Sequence, residues 1–326
     1  LRAGRLTKTA ALTAGTALLV AACGGGGGDS GGNNPPARAG TVSGKVNYEF
    51  VPAASNCSLN FASTETRPIR GATVQLIDAA TGNVLDSTVS SDSGDYSFSG
   101  VDNNKMVRVS VRAELKKTTG TSSWDVEVRD NFIEGASDSD DPAPQPLRER
   151  PLYVLEGTDF DTGPSSVTRN LTATTGWTGS AYGGPRSAAP FAILDAIYTA
   201  TKFVESVDPN AVFPPLDAFW SVNNTLTDAN DITAGELTAS FYIDSLDSLF
   251  LVGDAAVDTE EFDDHVIVHE WGHYFEDKFS RSDSPGGAHS IGDRLDPRLA
   301  FGEGWATAFA AMALDDPLYC DTGVAG

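Results

Sequence analysis

Histidine is scarce in this chain, with 4 in 326 residues; there are 3 cysteines, and 22 Lys plus Arg stand against 45 Asp plus Glu. Each shortage excludes something. A formal charge of −23 repels nucleic acid and anionic membrane surfaces over most of the protein, so nucleic acid is dropped as a partner. The acidity reads as a solvated surface rather than a dedicated cation-binding device. The cysteines lack zinc-ligand spacing, which removes thiolate zinc sites. Residues 10–22 are apolar but too few to span a bilayer permanently. What is present is ordinary globular composition, 40% hydrophobic and 9% aromatic. That is enough for a buried core and, by length, for about two domains.

The first residues read as a targeting segment. Arg2, Arg5 and Lys8 precede the apolar stretch, which ends at Cys23. Val20-Ala21-Ala22-Cys23 resembles the lipobox of bacterial lipoproteins. The resemblance implies that residues 1–23 are a signal peptide and that Cys23 is lipidated, anchoring an exported protein to the cell envelope. Gly24 rather than Asp after the cysteine leans toward the outer membrane if the source is Gram-negative. Residues 24–39, rich in Gly, Asn and Pro, then form a flexible tether. Cys57 and Cys320 remain; an oxidising compartment permits their pairing, but they fall in what read as different domains, so it is left open.

From Gly40 onward, short alternating apolar runs such as Thr41-Val42-Ser43-Gly44-Lys45-Val46 and Ala72-Thr73-Val74-Gln75-Leu76-Ile77 predict half-buried strands. Turn residues such as Thr81-Gly82-Asn83 and Ser91-Asp92-Ser93-Gly94-Asp95 separate them. Residues 71–76 and 91–98 resemble the carboxypeptidase regulatory-like (transthyretin-like) β-sandwich, which implies an accessory module and no chemistry of its own. Beyond it, Asp138, Asp140, Asp141, Asp159 and Asp161 read as solvated loop residues, since no glycine-turned, glutamate-closed calcium loop follows. The expected architecture is multidomain: an all-β sandwich over 40–118, a β-rich connecting region over 119–180, and an α+β zincin-like catalytic domain over 181–326. Within the last, a helical period runs from Pro190 to Val204, and Asp258 is a candidate cap for a second helix.

That second helix carries His269-Glu270-Trp271-Gly272-His273. Two histidines four apart lie one turn apart on one helical face, so their imidazoles converge on a single metal ion. Glu270 lies between them, turned aside, where its carboxylate reaches a metal-bound water without being a ligand; this is what a general base requires. Zinc suits imidazole and carboxylate ligands with one position open. The alternative is an exposed face bearing two ordinary histidines. The flanking Val266-Ile267-Val268, Tyr274 and Phe275 argue against it, because they predict a buried helix.

A third ligand is needed. Phe301-Gly302-Glu303-Gly304-Trp305 supplies an acid within a helix predicted over 297–314, with flanking glycines that permit close approach. HExxH followed by a helical glutamate resembles the gluzincin, or thermolysin-like, metallopeptidases. That resemblance implies zinc held by His269, His273 and Glu303, and water-driven hydrolysis of a protein or peptide substrate with Glu270 as base. The metzincin pattern is excluded, since Glu276 and Phe279 stand where it needs glycine and histidine. His289 is the rival ligand, or a group that steadies the oxyanion. Asp293 and Asp296 read as loop and cap residues, and His265 as a bystander. Thermolysin-like enzymes often carry an acid four residues after the glutamate ligand; here that position is Thr307, and Asp277 is the substitute for orienting a histidine. Only 23 residues follow Glu303, which leaves C-terminal truncation open. The rival from another class is a cell-surface binding or adhesion lipoprotein with a structural or vestigial zinc site.

Overall fold

The alternating runs of the first third become strands, and the helical period after Pro190 becomes a helix. The computed structural model describes residues 40–135, 147–287, 289 and 292–323. In chain order the strands are β1 (Gly40–Phe50), β2 (Glu65–Pro68), β3 (Ala72–Asp78), β4 (Val84–Val89), β5 (Asp95–Val101), β6 (Met106–Lys117) and β7 (Trp124–Arg129). Four short ones follow: β8 (Val154–Glu156), β9 (Phe160–Asp161), β10 (Val167–Thr168) and β11 (Leu171–Ala173). Helix α1 (Ala189–Val207) then leads to β12 (Leu216–Trp220), β13 (Thr225–Leu226), β14 (Glu236–Leu237), β15 (Phe241–Ile243) and β16 (Ser248–Leu251). Helices α2 (Asp264–Phe279) and α3 (Pro297–Leu314) close the described chain. The result is a mixed, sheet-rich protein with few helices, and none described is long and apolar enough to cross a membrane. Cys23, the tether, Asp138, Asp140 and Asp141 lie outside the described residues.

The expected boundaries near 118 and 181 do not appear as breaks. One sheet runs β15-β16-β12-β7-β6-β3-β4, so strands from the expected sandwich, the connecting region and the expected catalytic domain hydrogen-bond in series. The joins are β6 to β7, antiparallel, and β7 to β12, parallel, with Leu216 opposite Val126. Strand β6 is buried on both faces over most of its length, so it lies inside the body rather than on the surface of a separate module. A second sheet, built on β1 with β2, β5, β10 and β11, shares with the first one hydrophobic cluster whose members run from Val42 to Ala310, beside a smaller one of Phe219, Leu237, Phe250 and Val252.

Helix α1 is the hub. Twelve of its 19 residues are buried, so it is a central helix rather than an amphipathic surface one. Its buried Asp195 is neutralised by Arg70 Nε at 2.5 Å and accepts a hydrogen bond from Tyr48 Oη at 2.8 Å. Both partners stand on the β side of the core, so the charge pair also fixes helix against sheet.

The two remaining cysteines form a disulfide between Cys57 and Cys320, 263 positions apart, with Cα atoms 5.2 Å apart. The pairing that domain separation made doubtful is present, because the segments belong to one compact unit, Ala37–Gly326.

Candidate metal centre

Helix α2 starts at Asp264, after a single 3-10 turn over Glu260–Phe262. Asp258 is therefore not its cap: Asp258 Oδ1 accepts from the Thr259 amide at 2.8 Å, ahead of the turn. Asp263 stands at the N-cap position without a capping side-chain bond. What fixes the approach is Arg186, buried with Glu261 and bonded to its carboxylate, with Nε 3.0 Å from Oε1, and to the Gly253 carbonyl. Helix α3 spans the range its sequence predicted, and Asp296 caps it, accepting from the Arg298 amide at 2.9 Å.

The helices meet closely at one glycine. A Cβ on Gly272 would come 3.1 Å from Ala306 Cα and 3.2 Å from Ala306 Cβ, so the glycine inside the histidine motif lets α2 approach the backbone of α3. The glycines beside Glu303 contribute less than their position suggested: Gly304 faces open space, and Gly302 faces the Glu276 carboxylate. On the far side Trp271 stacks on Phe275 and Phe309, with ring centroids 5.5 and 5.4 Å away. These rings give the helix pair its apolar seam.

Across this seam His269, His273 and Glu303 converge. His269 Nε2 lies 3.1 Å from Glu303 Oε2 and 3.1 Å from His273 Nε2, and His273 Nε2 lies 3.5 Å from the same oxygen. Four ligands at about 2.1 Å from a tetrahedral zinc sit about 3.4 Å from one another. The three atoms therefore have the mutual spacing of a zinc shell, and two imidazole nitrogens aimed at each other have no use for that geometry unless a cation or proton lies between them. Burial alone would raise the Glu303 pKa, but the bonds from the two imidazoles prevail and hold its carboxyl well below the usual range. His273 is affected the opposite way: burial pulls its pKa down, and the bond to Glu303 with the charge of Glu270 carries it above the ordinary histidine value.

Glu270 is buried beside these ligands without joining them. Its Oε2 accepts from the Tyr242 amide of β15 at 2.9 Å, and burial raises its pKa against the pull of the two histidines. A raised carboxyl pKa suits a group that must take a proton and return it.

Residues around the shell divide differently from the sequence expectation. His269 Nδ1 faces Thr307 Oγ1 at 3.1 Å, so the threonine four positions after Glu303 orients the ligand. Asp277 does not: its carboxylate accepts from Tyr242 Oη at 2.9 Å and pairs with Lys278. It lies one turn beyond His273 on the same side of the helix, but Tyr242 and Lys278 take up its carboxylate. His289 stands at the rim, with Nε2 3.4 Å from Glu303 Oε1 and Nδ1 against the Gly287 carbonyl. His265 Nε2 bonds the Asp316 carbonyl at 3.0 Å. Asp159 pairs with Arg108, and Asp161 accepts from the Gly163 amide. A second carboxylate group, Asp258, Glu260 and Asp321, has ligand atoms within 4.8 Å of one another. Burial pushes Asp258 up to about 6 and Glu260 well above its ordinary value.

No known protein-family profile matches this chain, and no curated protein is significantly similar to it. Among solved structures, a 9R-lipoxygenase from Cyanothece PCC8801 superposes over 56% of this chain and 27% of its own, at 9% identity and a TM-score of 0.22. A likeness that slight carries no argument about fold or activity.

Proposed function

We propose that this chain is a zinc-dependent metallopeptidase of the gluzincin type, a zincin-like catalytic unit carried with a β-sandwich accessory portion on an exported protein anchored through Cys23. The observation that carries the reading is the zinc-shell spacing of His269 Nε2, His273 Nε2 and Glu303 Oε2 with Glu270 beside it as a non-ligand. Zinc held by those three residues would act as a Lewis acid, lowering the pKa of a water and polarising a carbonyl. Glu270 takes the proton from the attacking water and delivers it to the departing amine. Thr307 holds the His269 ring in place.

Strand β15 supports a peptide as the substrate. It ends its sheet and, among the described residues, pairs only with β16, and its Tyr242 amide points to Glu270. An extended peptide added alongside β15 by main-chain hydrogen bonds would bring its own carbonyls to that glutamate.

The test is metal content by mass spectrometry together with hydrolysis of casein or a quenched peptide, on the wild type, Glu270→Gln and Glu303→Ala. The reading expects one zinc per chain in the wild type and in Glu270→Gln, hydrolysis in the wild type alone, and loss of both zinc and hydrolysis in Glu303→Ala. Stoichiometric zinc with no hydrolysis of any peptide would favour the adhesion lipoprotein with a structural zinc site, and no zinc at all would end the peptidase reading.

A further inference from the structure

Glu276 follows His273 by nearly one helical turn, on the face of α2 that carries the two histidine ligands. A Cβ on Gly302 would come 3.2 Å from Glu276 Oε2, so the glycine next to Glu303 leaves the space that this carboxylate occupies. Glu276 therefore stands beside the ligand shell, and it is half-buried there. Its backbone carbonyl accepts from Ser280 at the end of the helix, but its side chain takes no part in that bond.

The carboxylate of Glu276 has no hydrogen-bond or ion-pair partner among the described residues. The charges that act on it most are those of His273, Glu303, Asp283 and Asp277. Three of these four are acids, and His273 already faces Glu303. Lys278 is held by Asp247 and Asp277, Arg281 by Asp283, and Arg298 by Asp296. The two positive charges that zinc would bring are matched by the carboxylates of Glu270 and Glu303, so Glu276 is left as an uncompensated negative charge at the edge of the centre. A partly desolvated carboxylate without a partner is unfavourable for the protein alone. A ligand that supplies a cation removes that cost.

Resting on the peptidase reading, we propose that Glu276 is a specificity-determining residue, which selects peptides with a lysine or arginine side chain close to the scissile bond by pairing with its ammonium or guanidinium group. The pair forms at the edge of the metal centre, where water is partly excluded and a charge-assisted hydrogen bond is stronger than on an open surface. The same carboxylate disfavours a glutamate or aspartate at that place in the peptide, so discrimination comes from repulsion as well as attraction. The formal charge of −23 adds steering of cationic peptides toward the protein at low salt.

The test uses N-acetylated peptide pools that differ only in carrying lysine, glutamine or glutamate at one fixed position in an otherwise uncharged background, with cleavage sites read by mass spectrometry. Zinc content and kcat/KM are measured for the wild type, Glu276→Gln and Glu276→Lys. The wild type is expected to favour the lysine pool over the glutamine pool by about tenfold or more in kcat/KM, to cut beside the lysine, and to lose part of the preference as salt rises. Glu276→Gln is expected to keep its zinc and to bring that ratio close to unity, and Glu276→Lys to turn the preference toward the glutamate pool. A second readout needs no turnover: in a Glu270→Gln background, adding Glu276→Gln should weaken binding of the lysine peptide about tenfold by fluorescence anisotropy. A wild type indifferent to lysine would overturn the proposal, as would a preference that survives in Glu276→Gln. Glu276→Gln, which keeps the shape of the side chain, leaves the question answerable if Glu276→Lys fails to fold. A wild type that binds zinc but cleaves none of the pools would instead overturn the peptidase reading on which this rests.

Discussion

The main-chain amide of Tyr242 donates a 2.9 Å hydrogen bond to Glu270 Oε2, joining the edge strand of the large sheet to the one acid of the histidine motif that is not in the ligand cluster. The bond fixes Glu270 in its rotamer while leaving its second oxygen free for a proton. Glutamine at this position can still accept from the Tyr242 amide. Glu270→Gln should therefore keep its fold and its zinc while losing roughly a hundred- to ten-thousand-fold in kcat. Circular dichroism, metal analysis and steady-state kinetics on one preparation check this, and loss of the metal would reassign Glu270 as a ligand.

Thr307 occupies the position where an acid was the familiar expectation, and its hydroxyl faces His269 Nδ1 at 3.1 Å. Valine has nearly the same shape and no hydroxyl. Thr307→Val should weaken zinc about ten- to a hundredfold, read by competition with a chromophoric chelator. Asp277→Asn, which touches Tyr242 and Lys278 instead, should leave zinc affinity unchanged. Equal affinities in all three proteins would remove Thr307 from the site.

The close contact of Gly272 with Ala306 makes a prediction about both stability and metal. In Gly272→Val the new side chain has no space, so the two ligand-bearing helices must separate. Overpacking of this kind costs about 1–3 kcal/mol, and zinc should weaken because two ligands ride on one helix and the third on the other. Gly304 is the control: nothing lies within 4 Å of its would-be Cβ. Gly304→Ala should stabilise by roughly 1 kcal/mol through helix propensity and leave the metal alone. Denaturant titrations of the metal-free and zinc-loaded proteins separate the two effects.

What could be read in the sequence was local. The helical period places His269 and His273 on one face, and Ala-rich, proline-started sequence sets the extent of α3. The pairing of β7 with β12 is a different kind of fact, since Val126 and Leu216 meet through a register that neither segment encodes by itself. That join turns two expected domains into one sheet. Asp258 looked like a cap because caps are acidic residues before an apolar run; Arg186, far upstream, instead decides where the chain turns into α2.

Asp258, Glu260 and Asp321 supply a prediction with a definite sign. Burial first, then the Asp321 charge, raises the Asp258 carboxyl to about 6 in the native protein, whereas an unfolded aspartate titrates near about 3.9. Between those values the native state holds more protons than the unfolded one. Stability tied to this residue is therefore present at low pH and lost as pH rises through about 6. Asp258→Asn keeps an oxygen for the Thr259 amide and removes the charge. In chelator-containing buffer its melting temperature should exceed that of the wild type at pH 8, and the gap should close toward pH 4. Thermal scans across that range decide it: a gap that stays constant with pH would mean that the substitution acts through packing, and that Asp258 does not titrate in this window.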